Sequence, residues 1–291
     1  MNLFKHVFPK LNQQPQLHVL PHVAEGTCIP KIIHQTYAKS ELPAELLENQ
    51  QRLQAMNPGW EYRFYRDDDI VEFIQANYGP EILGYYNRIS PLYGAARADL
   101  FRYLVVYKCG GVYLDIKSSL NMPFDCFLRD DDIFLLAQWE NGKEEEFAGW
   151  GFHYDLRGIE GGEYQQWHVM AAPGHLFLRS VLQNVLKNID LYIPALHAVG
   201  KRGVVRLTGP IAYTRAIQPM LRSCKHRVIT RQTPFPFRYS IYPYDAHIGL
   251  LPTHYSQRTE PVVEIGPTKR LYSTLLQVLN KLDDRIRRKS V

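Results

Sequence analysis

Polar and apolar side chains alternate along Val112-Tyr113-Leu114-Asp115-Ile116-Lys117, and a strand here places Tyr113, Asp115 and Lys117 on the face opposite Val112, Leu114 and Ile116. A carboxylate that ends such a strand needs a metal, a cation or hydrogen bonds to offset its burial. Strand ends in open α/β sheets are also where ligands bind, so Asp115 has both a functional and a structural reading. Upstream, Arg97, Asp99 and Arg102 interrupt an apolar stretch. Asp99 and Arg102 stand three apart on one helix face, where they form a local ion pair worth roughly a few tenths of a kcal/mol or grip a ligand together. The run from Ile29 ends in His34, Gln35 and Thr36, the polar end of a buried-type strand. Leu207-Thr208-Gly209-Pro210 opens a helix whose free N–H groups can bind a phosphate, or whose Thr208 simply caps it. Trp167 is read as core or as a stacking platform, and Asp245, His247 and His254 lie in a Pro- and Tyr-rich stretch.

The elements that must position these groups follow from periodicity. Strands are expected at Ile29–Thr36, Trp60–Tyr65, Val112–Lys117, Ile133–Trp139 and Val228–Thr230. Helices are expected at Leu42–Met56, after the triple Asp67-Asp68-Asp69, at Tyr93–Cys109, His175–Ile189 and Pro210–Leu221. The three aspartates suit a helix start, through capping and the macrodipole, better than a metal. Gly110-Gly111 ends one helix and releases the chain into the Asp115 strand. Gly149 to Gly162 lacks period and reads as a surface loop, and Glu144-Glu145-Glu146 as a solvated face. Helices alternating with strands indicate one α/β domain over residues 28–266, after an irregular lead-in over 1–27 and before a basic amphipathic helix over 267–291. That last helix aligns Leu271, Leu275, Leu279, Leu282 and Ile286 beside several Lys and Arg; the stripe covers a core or lies on an anionic membrane surface.

Composition excludes several classes. With 45% apolar and 22% charged residues over 291 positions the chain is no disordered polymer. A net charge of +5 is too small for a nucleic-acid coat but suits a site for anions. No apolar run approaches the roughly 18 residues of a membrane span, and the N-terminus, broken by Pro9 and Pro15, lacks the apolar core of a secretory signal. A cytoplasmic chain is expected. Cys28, Cys109, Cys126 and Cys224 are scattered without metal-knuckle spacing and read as reduced, mostly buried thiols. The 19 tyrosines suit sugar or base stacking as well as cores.

Taken in order, IPKIIHQT, NPGWEYRFY, ARADLFRYLVVYKCGGVYLDI, YQQWHVMAAPGHLFL, LTGPIAYTRAI and a late His254-Tyr255 resemble the DXD-containing sugar transferases of glycosyltransferase family 32, relatives of capsule, surface-glycan and yeast initiating mannosyltransferases. The resemblance implies a GT-A type nucleotide-sugar-binding fold, with a single mixed sheet flanked by helices. It also implies a nucleoside-diphosphate sugar donor, a divalent cation (Mn2+ or Mg2+) and transfer with retention. By the same resemblance, His34, Gln35 and Thr36 face the nucleotide base and ribose. Asp99 and Arg102, with Arg97 beside them, hold donor-sugar hydroxyls, and Thr208 and Gly209 lie on the donor side. Asp115 matches the first Asp of the DXD motif, facing ribose and metal-bound diphosphate, and His254 is the late histidine that completes the metal site. The second Asp of the motif is Lys117. Either a metal is still held by Asp115, the diphosphate and His254 with Lys117 turned aside, or Lys117 itself supplies the positive charge.

The expected activity is transfer of a sugar from a nucleoside-diphosphate sugar to a hydroxyl of a glycan or lipid-linked acceptor, in polysaccharide or surface-glycan synthesis, without nucleic acid. A non-catalytic carbohydrate-binding module would share the tyrosines but would not need the Asp115 site. A metal-dependent phosphoryl or nucleotidyl transferase would share an Asp–phosphate site, yet neither a Walker A sequence nor a kinase-type loop is present.

Overall fold

In the computed structural model, residues 20–38, 41–229, 235–243 and 257–289 are described, the side chains of 280–289 excepted. The chain runs through β1 (Ile32–Thr36), α1 (Ala44–Met56), β2 (Glu61–Tyr65), α2 (Asp67–Arg88), α3 (Gly94–Cys109), β3 (Gly111–Leu114), β4 (Ser119–Leu120), β5 (Phe134–Ala137) and β6 (His168–Ala171). It continues through α4 (Leu176–Leu191), a single turn at Pro194–His197, α5 (Gly200–Leu207), α6 (Pro210–Ile217), β7 (Arg227–Ile229), β8 (Phe237–Arg238) and α7 (Pro267–Lys289). Six strands form one mixed sheet in the order β2-β1-β3-β6-β5-β7. β6 is antiparallel to both of its neighbours, whereas β1 is parallel to β2 and β3. The α/β class and the mixed sheet are as expected. In addition, β4 and β8 pair as a separate antiparallel ribbon.

Strand alternation divides the core between the two sheet faces. Tyr113, Val169 and Phe134 point into the cluster formed with α2, α3 and α4, while Val112, Leu114 and Met170 point into a second cluster with Trp60, Phe124 and Trp167. Helix α3 is buried nearly all round from Asp99 to Tyr107, which makes Asp99 and Arg102, the two ionic residues of that stretch, exceptional. Its exit depends on glycine: Gly110 and Gly111 have φ of 67° and 93°, and a Cβ on Gly111 would lie 2.6 Å from the Ile32 carbonyl oxygen. At the start of α2 the Arg66 N–H donates to Asp69 Oδ2 at 2.8 Å, so the triple Asp caps a helix.

Several expectations need correction. β3 ends at Leu114, not Lys117; Asp115 lies just beyond it, and Ser118 N–H donates to the Asp115 carbonyl at 2.8 Å to close a turn that contains Lys117. Strand alternation therefore does not place Asp115 beside Lys117; the turn does. The antiparallel β6 and helix α5 were not expected. Cys28 and Cys126 are exposed and Cys109 and Cys224 half-buried, all free, where buried thiols were expected. Leu20, from the lead-in, sits in the main core, and Gly26 N–H donates to the Pro173 carbonyl. Helix α7 packs through Ser273 and Leu276, whereas Leu271, Leu275 and Leu279 of the expected stripe are 63, 53 and 57% exposed. No helix among the described residues is long and apolar enough to cross a membrane.

Candidate active site

Beyond the end of β3 the structure opens into a cleft of about 1000 Å³, whose lining includes Asp99, Arg102, Asp115, Lys117, Gln166 and Gly209. Helix α3 supplies the first two from successive turns. The Arg102 guanidinium pairs through Nη2 with Asp99 Oδ1 at 3.1 Å and with Asp115 Oδ1 at 2.9 Å. Its Nη1 donates to the Gln166 carbonyl at 2.6 Å and to Gln166 Oε1 at 2.7 Å, and its plane stands 4.8 Å from the Tyr113 ring centroid. Asp99 accepts further from Thr208 Oγ1 at 2.8 Å and from Gln166 Nε2 at 3.1 Å. Burial pushes the Asp99 carboxyl above the usual carboxylate range, against the opposing pull of Arg102, Thr208 and Gln166. Burial also works against the Arg102 charge, but Asp115, Tyr113 and Asp99 raise its pKa above that of a free guanidinium. The Asp115 side chain is 25% exposed against about 5% for Asp99 and Arg102, so it is the most open of the three ionic groups that border the cleft.

Neighbouring groups fix the Asp115 turn. Gln35 Nε2 donates to the Asp115 carbonyl at 3.2 Å while its Oε1 accepts from the Tyr62 hydroxyl at 2.6 Å. Ile241 N–H donates to the Lys117 carbonyl and Ser118 Oγ to the Tyr239 carbonyl. Lys117 Nζ donates to the Tyr239 hydroxyl at 3.0 Å and lies 4.2 Å from that ring's centroid. Burial lowers the Lys117 pKa, Asp115 opposes the shift, and Arg102 adds to it.

The other expected site residues divide clearly. His34 is fully buried outside the cleft; Nε2 donates to the Gly110 carbonyl at 3.0 Å and Nδ1 accepts from the Tyr65 hydroxyl at 3.1 Å. Burial drops its pKa to about 4. It is a neutral tie between β1, β2 and the end of α3, with no nitrogen left for a nucleotide. Gln35 and Thr36 are also buried and do not line the cleft. Arg97 Nε donates to the Ile89 carbonyl and its guanidinium stacks on Tyr86, away from Asp99. Thr208 supports Asp99 and does not cap α6; Gly209 occupies the cap position and borders the cleft. His254, with Asp245 and His247, lies outside the described residues.

Sequence reasoning missed Gln166, although it stands in a quoted block, because a Gln beside a Trp carries no ionic signal. It also missed the far wall of the cleft. There Trp139, Trp150 and Tyr239 meet edge to face, with centroids 5.2 to 5.7 Å apart. Beneath them the buried Glu163 accepts from Trp139 Nε1 at 2.7 Å and from His153 Nε2 at 2.6 Å, and the buried Trp167 indole N–H has no partner among the described residues. An anionic group fits the Arg102–Lys117 end, and a hydroxylated ring fits the aromatic end. A divalent cation does not fit the described residues: they contain no group of three or more His, Cys, Asp or Glu able to hold one, and Asp115 is paired with Arg102.

Residues 43–133 match the family described as "Glycosyltransferase sugar-binding region containing DXD motif". The chain is 38% identical over 104 residues to Inositol phosphoceramide mannosyltransferase 3 of Schizosaccharomyces pombe, covering 36% of this chain and 28% of that one. It is 34% identical over 182 residues to Mannosyl phosphorylinositol ceramide synthase SUR1 of Saccharomyces cerevisiae, covering 62% and 41%. It is 26% identical over 173 residues to the Initiation-specific alpha-1,6-mannosyltransferase of Candida albicans, covering 55% and 43%. The chain thus spans less than half the length of these relatives. The solved structure PaToxG Glycosyltransferase superposes with a TM-score of 0.47 at 14% identity over 67% of this chain and 70% of that one, a likeness too loose to argue from. Helices α1 to α3 and the Asp115 turn fall inside the matched region, so the stretch that resembles the DXD-containing sugar transferases is the one that carries Asp99, Arg102 and Asp115.

Proposed function

We propose that this chain transfers a sugar from a nucleoside-diphosphate sugar to a hydroxyl of a glycan acceptor, on a GT-A type fold. The observation that carries the reading is the buried Asp99–Arg102–Asp115 network, which borders the cleft and is most exposed to it at Asp115. In this reading Arg102 and Lys117 face the diphosphate, Asp99 and Gln166 the donor sugar, and the aromatic wall the acceptor. Forked donors beside fixed carboxylates suit a polyol, and charge developing on the departing diphosphate is met by preorganised cations. Both Asp99 and Asp115 are engaged by Arg102, which disfavours a carboxylate nucleophile and favours front-face attack with retention.

Because the relatives named above are two mannosyltransferases and a mannosyl phosphorylinositol ceramide synthase, a mannose donor and an acceptor at a membrane surface are the first to test. The exposed Leu271, Leu275, Val278 and Leu279 of α7, followed in the sequence by Lys281, Arg285, Arg287, Arg288 and Lys289, suit the cytosolic face of an anionic bilayer. The deciding experiment is a thermal-shift panel of nucleoside-diphosphate sugars, followed by product analysis. Stabilisation by one sugar nucleotide with release of free nucleoside diphosphate supports the reading. Release of nucleoside monophosphate, or of inorganic phosphate alone, refutes it.

A further inference from the structure

We propose that this chain has replaced the divalent ion of the DXD motif with a resident cation, the Lys117 ammonium, and that it binds its donor diphosphate and transfers sugar without a metal at Asp115. The inference deepens the sugar-transfer reading and rests on it. Lys117 occupies the motif's second carboxylate position, and both it and Asp115 border the same cleft. The 115–118 turn brings them there, closed by the Ser118 N–H on the Asp115 carbonyl and anchored by the Ile241 N–H on the Lys117 carbonyl.

The remaining carboxylate already has a cation as its partner. Arg102 holds Asp115 Oδ1 at 2.9 Å, and no other described His, Cys, Asp or Glu joins it in a cluster that could bind an ion. A divalent ion at Asp115 would face the Arg102 guanidinium and the Lys117 ammonium at once, and like charges at such range repel strongly in a partly buried site. The two side chains together carry the charge of one divalent ion. Tyr239 holds the ammonium at the cleft wall, through its hydroxyl at 3.0 Å and its ring at 4.2 Å, without neutralising it.

In the reaction, the bond between the anomeric carbon and the diphosphate oxygen breaks with its electron pair passing to that oxygen. The acceptor oxygen forms the new bond to the anomeric carbon. The acceptor hydroxyl proton passes to the departing diphosphate or to solvent. The diphosphate gains one negative charge as it leaves, and Lys117 and Arg102 are the groups placed to stabilise it.

The test is calorimetric binding of UDP and GDP to the full chain after exhaustive chelation, with and without manganese, in the wild type and in Lys117→Ala, Lys117→Met and Lys117→Asp. Manganese binding is read separately by electron paramagnetic resonance. A charge-assisted contact to phosphate is worth roughly tenfold or more in affinity. The wild type should therefore bind one nucleoside diphosphate equally with and without manganese. Lys117→Ala and Lys117→Met should each lose about tenfold under both conditions, and Lys117→Asp, which restores the carboxylate pair, should bind only with manganese. Lys117→Met guards against a folding defect in the smaller variant. Wild-type binding that collapses in chelator and returns with manganese overturns the proposal while leaving sugar transfer standing. Failure to bind either nucleotide under both conditions, with no turnover of any donor, removes the sugar-transfer reading and this proposal with it.

Discussion

Replacing Arg102 by Met keeps most of the aliphatic stem and deletes the charge at the centre of the network. Asp99 would keep its contacts from Thr208 Oγ1 at 2.8 Å and Gln166 Nε2 at 3.1 Å, and the quarter-exposed Asp115 can recover water. Only Asp99 is then stranded, and its carboxyl, already pushed up by burial, escapes part of the penalty by taking a proton. The cost should therefore fall near the low end of that for breaking a buried pair, about 3 kcal/mol. Adding Asp99→Asn to Arg102→Met removes the stranded carboxylate and should recover about 1–2 kcal/mol, whereas Asp99→Asn beside an intact Arg102 leaves a guanidinium underpaired and should destabilise. Urea unfolding at neutral pH, followed by far-ultraviolet circular dichroism, measures all four corners of the cycle. If Asp99→Asn has the same effect in both backgrounds, or Arg102→Met costs less than about 1 kcal/mol, the network is no buried hub and the reasoning fails.

Asp115→Asn keeps volume and removes the charge at the open end of the network; turnover should fall at least about 100-fold, with a lower unfolding midpoint because Arg102 loses one of its two carboxylate partners, and turnover within twofold of wild type would exclude Asp115 from the chemistry. Burial lowers the pKa of His34 to about 4, of His168 to about 3 and of His175 to about 4. In the fold these rings stay neutral below the ordinary value of 6.5, while the unfolded chain takes up their protons. The stability they contribute is thus complete above about pH 6.5 and lost as pH falls toward 4, by about 2 kcal/mol per ring between pH 7 and 5; a urea midpoint that stays level across that range contradicts this. For α7, flotation with anionic vesicles should be strong in the wild type and lost in Leu271→Glu/Leu275→Glu, since each basic residue near anionic lipid adds only about 1 kcal/mol and needs the apolar face to hold the helix there. Equal flotation of both proteins, or none with anionic lipid, removes the membrane contact.

The α/β class, most helices and most strands were legible from periodicity and punctuation, because those signals are local. The Ala44–Met56 helix stops at Asn57-Pro58-Gly59, and the Gly94–Cys109 helix at Gly110-Gly111, whatever lies nearby. Spacing alone also set Asp99 and Arg102 on one helix face, and the resemblance of the ordered motifs marked Lys117 as the departure from the DXD pattern. Tertiary structure decided which of these groups meet. The antiparallel β6 brings Gln166 to Arg102, and the α5–α6 junction brings Thr208 to Asp99 across 109 residues. Packing of β1 between β2 and β3 turned His34 from an expected nucleotide contact into a buried tie. No local pattern encodes such contacts: they arise where a buried polar group must find a partner, and the partner is chosen by how the elements pack.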